Sequence, residues 1–476
     1  MLELDPGLRR GDGQNKISFH ASHVLISDLF FKAVSYAKTV FGTRQGEAQD
    51  CNKPSINEHI FMVGKRVVVT GLSAITPLGN TLEESWSALI KGKSGIGPIT
   101  RFDCSEFNTK IAGEVKGFDP LQYIPRKQIQ RMDRFNHFAV AGSQMLLKHA
   151  GLDIDPVYGS EDTGILLGCG LGGLETIEEF HTRLIKKGPS RISPFYIPKL
   201  ISNIAAGQIA IFTKAKGPNL VTTSACASGV HSIGYAFSDI KLGRVNAMIC
   251  GGVESTITPM AVSGFNAMRA LSERNDQPEK ASRPFDQDRD GFVISEGSGF
   301  LLLEELEHAR SRGATIYAEV LGFGASADAY HITAPDESGA GMAQAMRAAV
   351  REAELDVQEV EHINSHGTST PWNDLCETRA IKNVFGSQAY NLSITANKSM
   401  IGHALGAAGG IESVFSVLTL AQGIVPGTVN LEHPDPECDL DYVATGSRQE
   451  QVQTVLCNSF GFGGTNACIL FQRFAD

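Results

Sequence analysis

The sequence predicts an α/β protein built from two core units. From Lys65 onward, apolar strand-like runs alternate with helical segments, which implies α/β architecture. The chain has 476 residues, more than one hydrophobic core usually holds. Its 42% hydrophobic and 20% charged residues fit a globular chain that buries a sizeable interior.

The elements follow in order. Residues 1–62 differ from the rest: Ile26, Leu29, Phe30, Val34, Ala37 and Phe41 fall at near-helical spacing, predicting a short amphipathic helix over 24–41 between polar flanks. Glu3, Asp5, Asp12 and Asp28 argue against a transit peptide, and Leu2-Glu3-Leu4-Asp5 against a secretory signal. The segment reads as an upstream start or a loosely attached tail, with Met62 an alternative initiator. Strands are predicted at 66–71, 164–168, 247–252 and 300–304, and again at 316–323, 362–364, 392–396 and 454–458. A boundary near Ala314 divides the remainder into halves 63–314 and 315–476.

A net charge of −10 excludes general nucleic-acid binding while permitting a local basic patch. Nine cysteines, an odd number without paired metal spacing, suit free thiols in a reducing compartment such as the cytoplasm. No apolar run approaches the roughly 20 residues of a membrane span, and no metal-ligand cluster is evident.

The most informative stretch is Thr222-Thr223-Ser224-Ala225-Cys226-Ala227-Ser228-Gly229. It joins the apolar Asn219-Leu220-Val221 to a helical segment at 230–237. Small residues at a strand-to-helix junction let the chain turn sharply and leave one side chain at the helix start. Here that side chain is a thiol, whose reactive thiolate a helix N-terminus favours. Two histidines stand on similar turns: His366 in Asn364-Ser365-His366-Gly367-Thr368-Ser369-Thr370, and His403 after Asn397-Lys398-Ser399-Met400-Ile401-Gly402. A small-residue helix start, 404–410, follows the second. One thiol and two imidazoles on such turns suit acyl transfer: the thiolate carries the acyl group, and the imidazoles supply hydrogen bonds or protons to a developing oxyanion. Gly168-Cys169-Gly170-Leu171-Gly172-Gly173 has the glycine spacing of a dinucleotide loop, but no βαβ unit with a ribose-binding acid follows it.

Taken together and in order, these motifs resemble the β-ketoacyl-acyl carrier protein synthases, most of all the synthase II group that elongates chains in type II fatty acid synthesis. The resemblance covers about 65–474. It includes Arg66-Val67-Val68-Val69-Thr70-Gly71, the Cys226 motif, Ser282-Arg283-Pro284-Phe285-Asp286 and Gly291-Phe292-Val293. It continues through His366-Gly367-Thr368, Lys398 with Gly402-His403, and Asn458-Ser459-Phe460-Gly461-Phe462-Gly463-Gly464-Thr465-Asn466. It has no counterpart for 1–62.

That resemblance implies the thiolase-like five-layered αβαβα fold of two related halves, normally a homodimer. Cys226 takes an acyl group from acyl carrier protein. Malonyl carrier protein then loses carbon dioxide while His366 and His403 stabilise the enolate oxygen, and the carbanion equivalent attacks the acyl-Cys226 thioester. The product is a 3-oxoacyl carrier protein two carbons longer, and neither metal nor organic cofactor is implied. Lys398 and Glu412 resemble the family's buried, organising ion pair. The backbone N–H groups of Cys226 and Phe462 are implied to form the oxyanion hole, with the Phe462 ring as a gate. Leu171 stands where the family places a residue that swings for long chains, and equally suits a core leucine. Thr368 and Thr370 match residues that hold a pantetheine arm, and equally suit turn capping; Phe460 joins them as substrate-binding. Lys127, Arg131, Arg191 and Arg269 are candidates for a carrier-protein patch or simply a solvated face. His331, on a loop beside the pocket, reads as structural. Three rivals remain: a thiolase, which relies on a second C-terminal cysteine; a polyketide-type ketosynthase; and a non-enzymatic chain-length-setting subunit, which lacks the nucleophile.

Overall fold

The computed structural model describes residues 64–153 and 161–475. The expected helix at 24–41 and the alternative start Met62 lie outside the described residues. Ten strands form the large sheet. In chain order they are β1 (Val67–Ile75), β2 (Thr163–Gly168), β3 (Asn219–Thr222), β4 (Ala247–Glu254), β5 (Gly297–Glu305), β6 (Ala318–Ala327), β7 (His362–Asn364), β8 (Ser393–Thr395), β9 (Thr454–Gly461) and β10 (Thr465–Gln472). All eight predicted runs are strands. The sequence reading left 465–472 unassigned, although Ala467, Cys468, Ile469, Leu470 and Phe471 are buried there.

The sheet order is β3-β2-β4-β5-β1-β6-β10-β9-β7-β8. Each half therefore places its own strands, numbered within that half, in the order 3-2-4-5-1 outward to inward. The pairing repeats as well. In each half the first and last strands pair antiparallel, as do the last and fourth, while the fourth, second and third run parallel. The halves meet at β1 and β6, where Val67, Val68 and Val69 face Val320, Glu319 and Ala318.

Helices complete the layers. α1 (Arg134–His149) and α2 (Ile204–Thr213) cover one outer face, and α4 (Ala340–Glu352) with α5 (Pro371–Phe385) the other. Between the two five-stranded halves lie α3 (Ser228–Lys241) and α6 (Ala408–Gln422), each touching strands of both halves. The result is the five-layered αβαβα thiolase-like arrangement.

The central helices approach their neighbours closely. A Cβ on Gly229 would sit 2.5 Å from the Gly410 nitrogen, and one on Gly410 would sit 2.3 Å from the Gly252 nitrogen. Only glycine permits that spacing, which explains the Gly409-Gly410 and Gly251-Gly252 pairs. α6 is buried on every side from Ala408 to Leu420, as an enclosed helix should be, and its one charged residue, Glu412, is paired with Lys398. By length and composition the 18 residues Leu405–Gln422 pass as a membrane span, correcting the expectation that no apolar run comes near one. They are 89% buried inside the protein, so their hydropathy reflects its core.

Candidate active site

β3 delivers the chain to Cys226 and α3 begins two residues later. Between them Ala225 takes φ +50°, a left-handed conformation rare for a residue with a Cβ. Ser228 braces the turn: its hydroxyl donates to the Ala225 carbonyl at 2.7 Å and accepts the Ser224 N–H at 2.9 Å. The thiol is thereby held, buried, at the floor of a cavity of about 620 Å³.

His403 Nε2 lies 3.0 Å from the Cys226 sulfur. The backbone at His403 is pinned to the strand-like segment behind it, donating to the Val293 carbonyl at 2.7 Å and accepting the Ser295 N–H at 2.9 Å. Phe292 meets the imidazole edge-on at 5.3 Å between ring centres. The Gly291-Phe292-Val293 motif is thus the mount for this histidine.

His366 stands beside it, ring centres 5.3 Å apart and planes 85° to one another. Its turn is clamped by Glu377 of α5, whose carboxylate accepts the His366 and Gly367 N–H groups, each at 2.8 Å. Asn458 donates to the same carboxylate at 3.1 Å. Burial pushes the Glu377 carboxyl up to about 7, against the pull of those donors. Behind His366, Lys398 Nζ donates to the His366 carbonyl and to Glu412 Oε1, both at 2.5 Å, and sits 3.3 Å from His366 Nδ1. A lysine head offers only donors there, so Nδ1 accepts and the neutral ring carries its proton on Nε2. Burial lowers both histidines well below the ordinary value, and Lys398 adds to this. Both imidazoles are neutral near pH 7. Burial pushes the Glu412 carboxyl up, and Lys398 pulls it back.

The thiol departs from the sequence expectation. Burial raises Cys226 to about 12, and Lys398 together with the N–H groups of Phe462 and Cys226 only partly offsets this. Removal from water is the largest influence, so the resting residue is a thiol against neutral His403. Those two N–H groups lie against the sulfur, where an oxyanion hole has to be. Thr465 ties the glycine loop back by donating to the Ser224 carbonyl at 3.1 Å, and Ser459 donates to the Cys226 carbonyl at 3.2 Å.

Cys226, His366, His403, Leu171, Thr368, Thr370, Phe460, Phe462 and Arg269 all line the one cavity. Lys398 and Glu412 lie behind its wall. Thr368 and Thr370 hydrogen-bond each other at 2.9 Å, the turn-capping role, while still facing the cavity. Leu171 is 46% exposed on the cavity wall and is not a core leucine. Lys127, Arg131 and Arg191 are exposed away from the cavity lining, Arg131 over the Phe195 ring. The exposed His331 accepts the Thr333 and Ala334 N–H groups and braces its own loop. The sequence reading missed Glu377 and Glu254. For Glu254 the one signal was an acid two residues past the predicted strand 247–252; for Glu377 there was none. Donor atoms of Cys226, His366 and His403 lie within 4.8 Å of one another, as do those of Asp286, Asp288 and His433. At the first group Lys398 adds positive charge against any cation.

A buried thiol at a helix start, paired with an imidazole and facing backbone donors, is the site of an acyl-transferring thiol enzyme. Comparison with known proteins narrows the class. The Beta-ketoacyl synthase N-terminal domain matches residues 64–309, and its C-terminal domain residues 317–432. A 3-oxoacyl-[acyl-carrier-protein] synthase 2 of Synechocystis is 54% identical over 86% of this chain and 98% of its own. One from Coxiella burnetii is 48% identical over 87% and 100%. A beta-ketoacyl synthase structure from Burkholderia phymatum superposes with a TM-score of 0.81 at 35% identity, covering 86% of this chain and all of that one. A type II PKS acyl-carrier protein in complex with its ketosynthase gives 0.80 at 32%, with the same coverage. The chain belongs to the beta-ketoacyl synthase family, and it is an acyltransferase.

Proposed function

We propose that this chain is a 3-oxoacyl-acyl carrier protein synthase that elongates fatty acyl chains by decarboxylative condensation. The carrying observation is the convergence of Cys226, His403 and His366 on one cavity, with His403 Nε2 3.0 Å from the sulfur. In the first half-reaction the sulfur attacks the acyl thioester carbonyl while His403 Nε2 takes the thiol proton. The N–H groups of Cys226 and Phe462 hold the oxyanion, and the departing carrier thiolate regains the proton from His403. In the second, the malonyl C–C bond breaks and carbon dioxide leaves. The electron pair becomes an enolate whose oxygen accepts hydrogen bonds from His366 Nε2–H and from His403 in the tautomer that carries its proton on Nε2. The enolate carbon attacks the acyl-Cys226 carbonyl, and the expelled thiolate takes up one proton. His403 thus has a task in acylation beyond the enolate role expected from sequence.

Lys398 fixes the His366 tautomer and Glu412 balances its charge. Leu171 and Phe460 line the acyl path, and Thr368 and Thr370 hold the pantetheine arm. Lys127, Arg131, Arg191 and Arg269 form the docking patch for acidic carrier protein, a partner of the kind in the solved complex. The enzyme works in the cytoplasm, in keeping with the free cysteines among the described residues. It works as a homodimer through the outermost strand β3, where Leu220 is 56% exposed. Identity to curated fatty acyl synthases above that to polyketide ketosynthases favours the fatty acid pathway. The test supplies acyl and malonyl carrier proteins and follows product by mass. A 3-oxoacyl product two carbons longer supports the reading, and acyl transfer without chain growth refutes it.

A further inference from the structure

The geometry points to Glu254 as a positioning residue that sets the acyl-length threshold by holding the Leu171 loop shut; this rests on the proposed condensing function. Glu254 is the last residue of β4 and is fully buried. Its carboxylate gathers three consecutive N–H groups, from Gly170 at 2.7 Å, Leu171 at 3.2 Å and Gly172 at 3.2 Å. Residues 170–172 therefore curl around one acceptor, and the left-handed Gly172, φ +70°, completes the curl. The Cys169 thiol adds a weaker contact at 3.6 Å.

A fourth N–H reaches the same carboxylate from the catalytic side: Gly406 donates to Glu254 Oε2 at 3.2 Å. Gly406 ends the turn that begins at His403. The two loops touch there, since a Cβ on Gly406 would sit 2.4 Å from the Gly170 nitrogen. One buried carboxylate thus joins the loop bearing Leu171 to the turn bearing His403.

Leu171 faces the cavity that Cys226 opens into. An acyl chain that outgrows the cavity must push Leu171 aside. Turning its backbone breaks N–H bonds to a carboxylate that has no water to replace them, which is costly. Short chains leave those bonds intact. Glu254 therefore discriminates by length while never touching substrate.

Glu254→Gln tests this. The amide keeps the size but offers one acceptor oxygen and turns an NH₂ toward the remaining donors. The expected result is a rise of about tenfold in the palmitoyl-to-hexanoyl ratio of kcat/KM, the effect of weakening one such bond to a charged group. A uniform fall at both lengths, the signature of a merely structural role, overturns the inference. Wild-type enzyme measured alongside separates the claims. If it condenses neither primer, the proposed function fails and takes this inference with it. If it condenses both and the variant keeps the same ratio, only this inference fails. Hydrogen exchange on wild-type protein decides the matter should the variant not fold. Amides in the peptide containing 170–172 should exchange faster in palmitoyl-enzyme than in hexanoyl-enzyme, and equal exchange contradicts the inference.

Discussion

Replacing Lys398 with Ala separates what the buried ion pair does for folding from what it does for chemistry. Lys398 is 1% exposed and Glu412 is fully buried. The substitution leaves the Glu412 carboxylate and the His366 carbonyl without the ammonium that joined them. Breaking one side of a buried pair costs about 3–5 kcal/mol. By the per-residue entropy of unfolding, that lowers Tm by roughly 3–6 °C for a chain of this length. His366 Nδ1 also loses its donor, so the ring is free to adopt the tautomer that presents no proton to the enolate. Loss of a hydrogen bond to a charged group predicts a fall of about 10–100-fold in decarboxylation. The double variant Lys398→Met, Glu412→Leu removes both charges and should regain most of the stability but none of the decarboxylation. Calorimetry and carbon dioxide release on the three proteins settle it. A Lys398→Ala enzyme that melts like wild type, or a double variant that recovers both properties, refutes the reasoning.

Further predictions follow from the same distances. His366→Ala should suppress carbon dioxide release while sparing acylation of Cys226; His403→Ala should slow both, by about 100-fold or more if each lost donor behaves as in other oxyanion sites. Single-turnover measurements of the two steps check this, and normal acylation in His403→Ala would contradict the 3.0 Å contact as a proton path. Because the Cys226 thiol is raised to about 12, alkylation by iodoacetamide should climb steadily with pH through the range where an ordinary thiol levels off. A plateau near neutrality would show a low-pKa thiolate instead. Acid stability offers a test away from the site. Burial pushes Glu304 up, but Arg312, His308 and Thr70 outweigh it and hold it down to about 2. A depressed carboxyl stabilises the fold above its unfolded value near 4.5, and that stability is lost as pH falls from there toward 2. The difference is worth about 3 kcal/mol. Denaturation at pH 6 and pH 3 should show that dependence diminished in Glu304→Gln, and an unchanged slope would discount the cluster.

Much of this was legible in the chain because its signals are local. Apolar runs marked eight of the strands, and three turns flagged Cys226, His366 and His403. β10 went unassigned although its apolar run, Ala467 to Phe471, is as clear as those before it. Glu254 and Glu377 were missed for a deeper reason. Each works by accepting backbone N–H groups from loops more than ten positions away or from another element, as Glu377 does for His366 from eleven residues on. No side-chain pattern reports where a backbone donor points. The thiol expectation ran against burial, which a helix-start motif does not encode and which pushes Cys226 up to about 12.

The decisive observable is where the acyl group goes. Purified protein incubated with acyl carrier protein, digested and mapped by mass spectrometry reads this directly. The acyl mass should appear on the peptide containing Cys226 and vanish in Cys226→Ala, which should no longer form any 3-oxoacyl product. An acyl group on Cys169 or Cys376, or condensation surviving in Cys226→Ala, would contradict it.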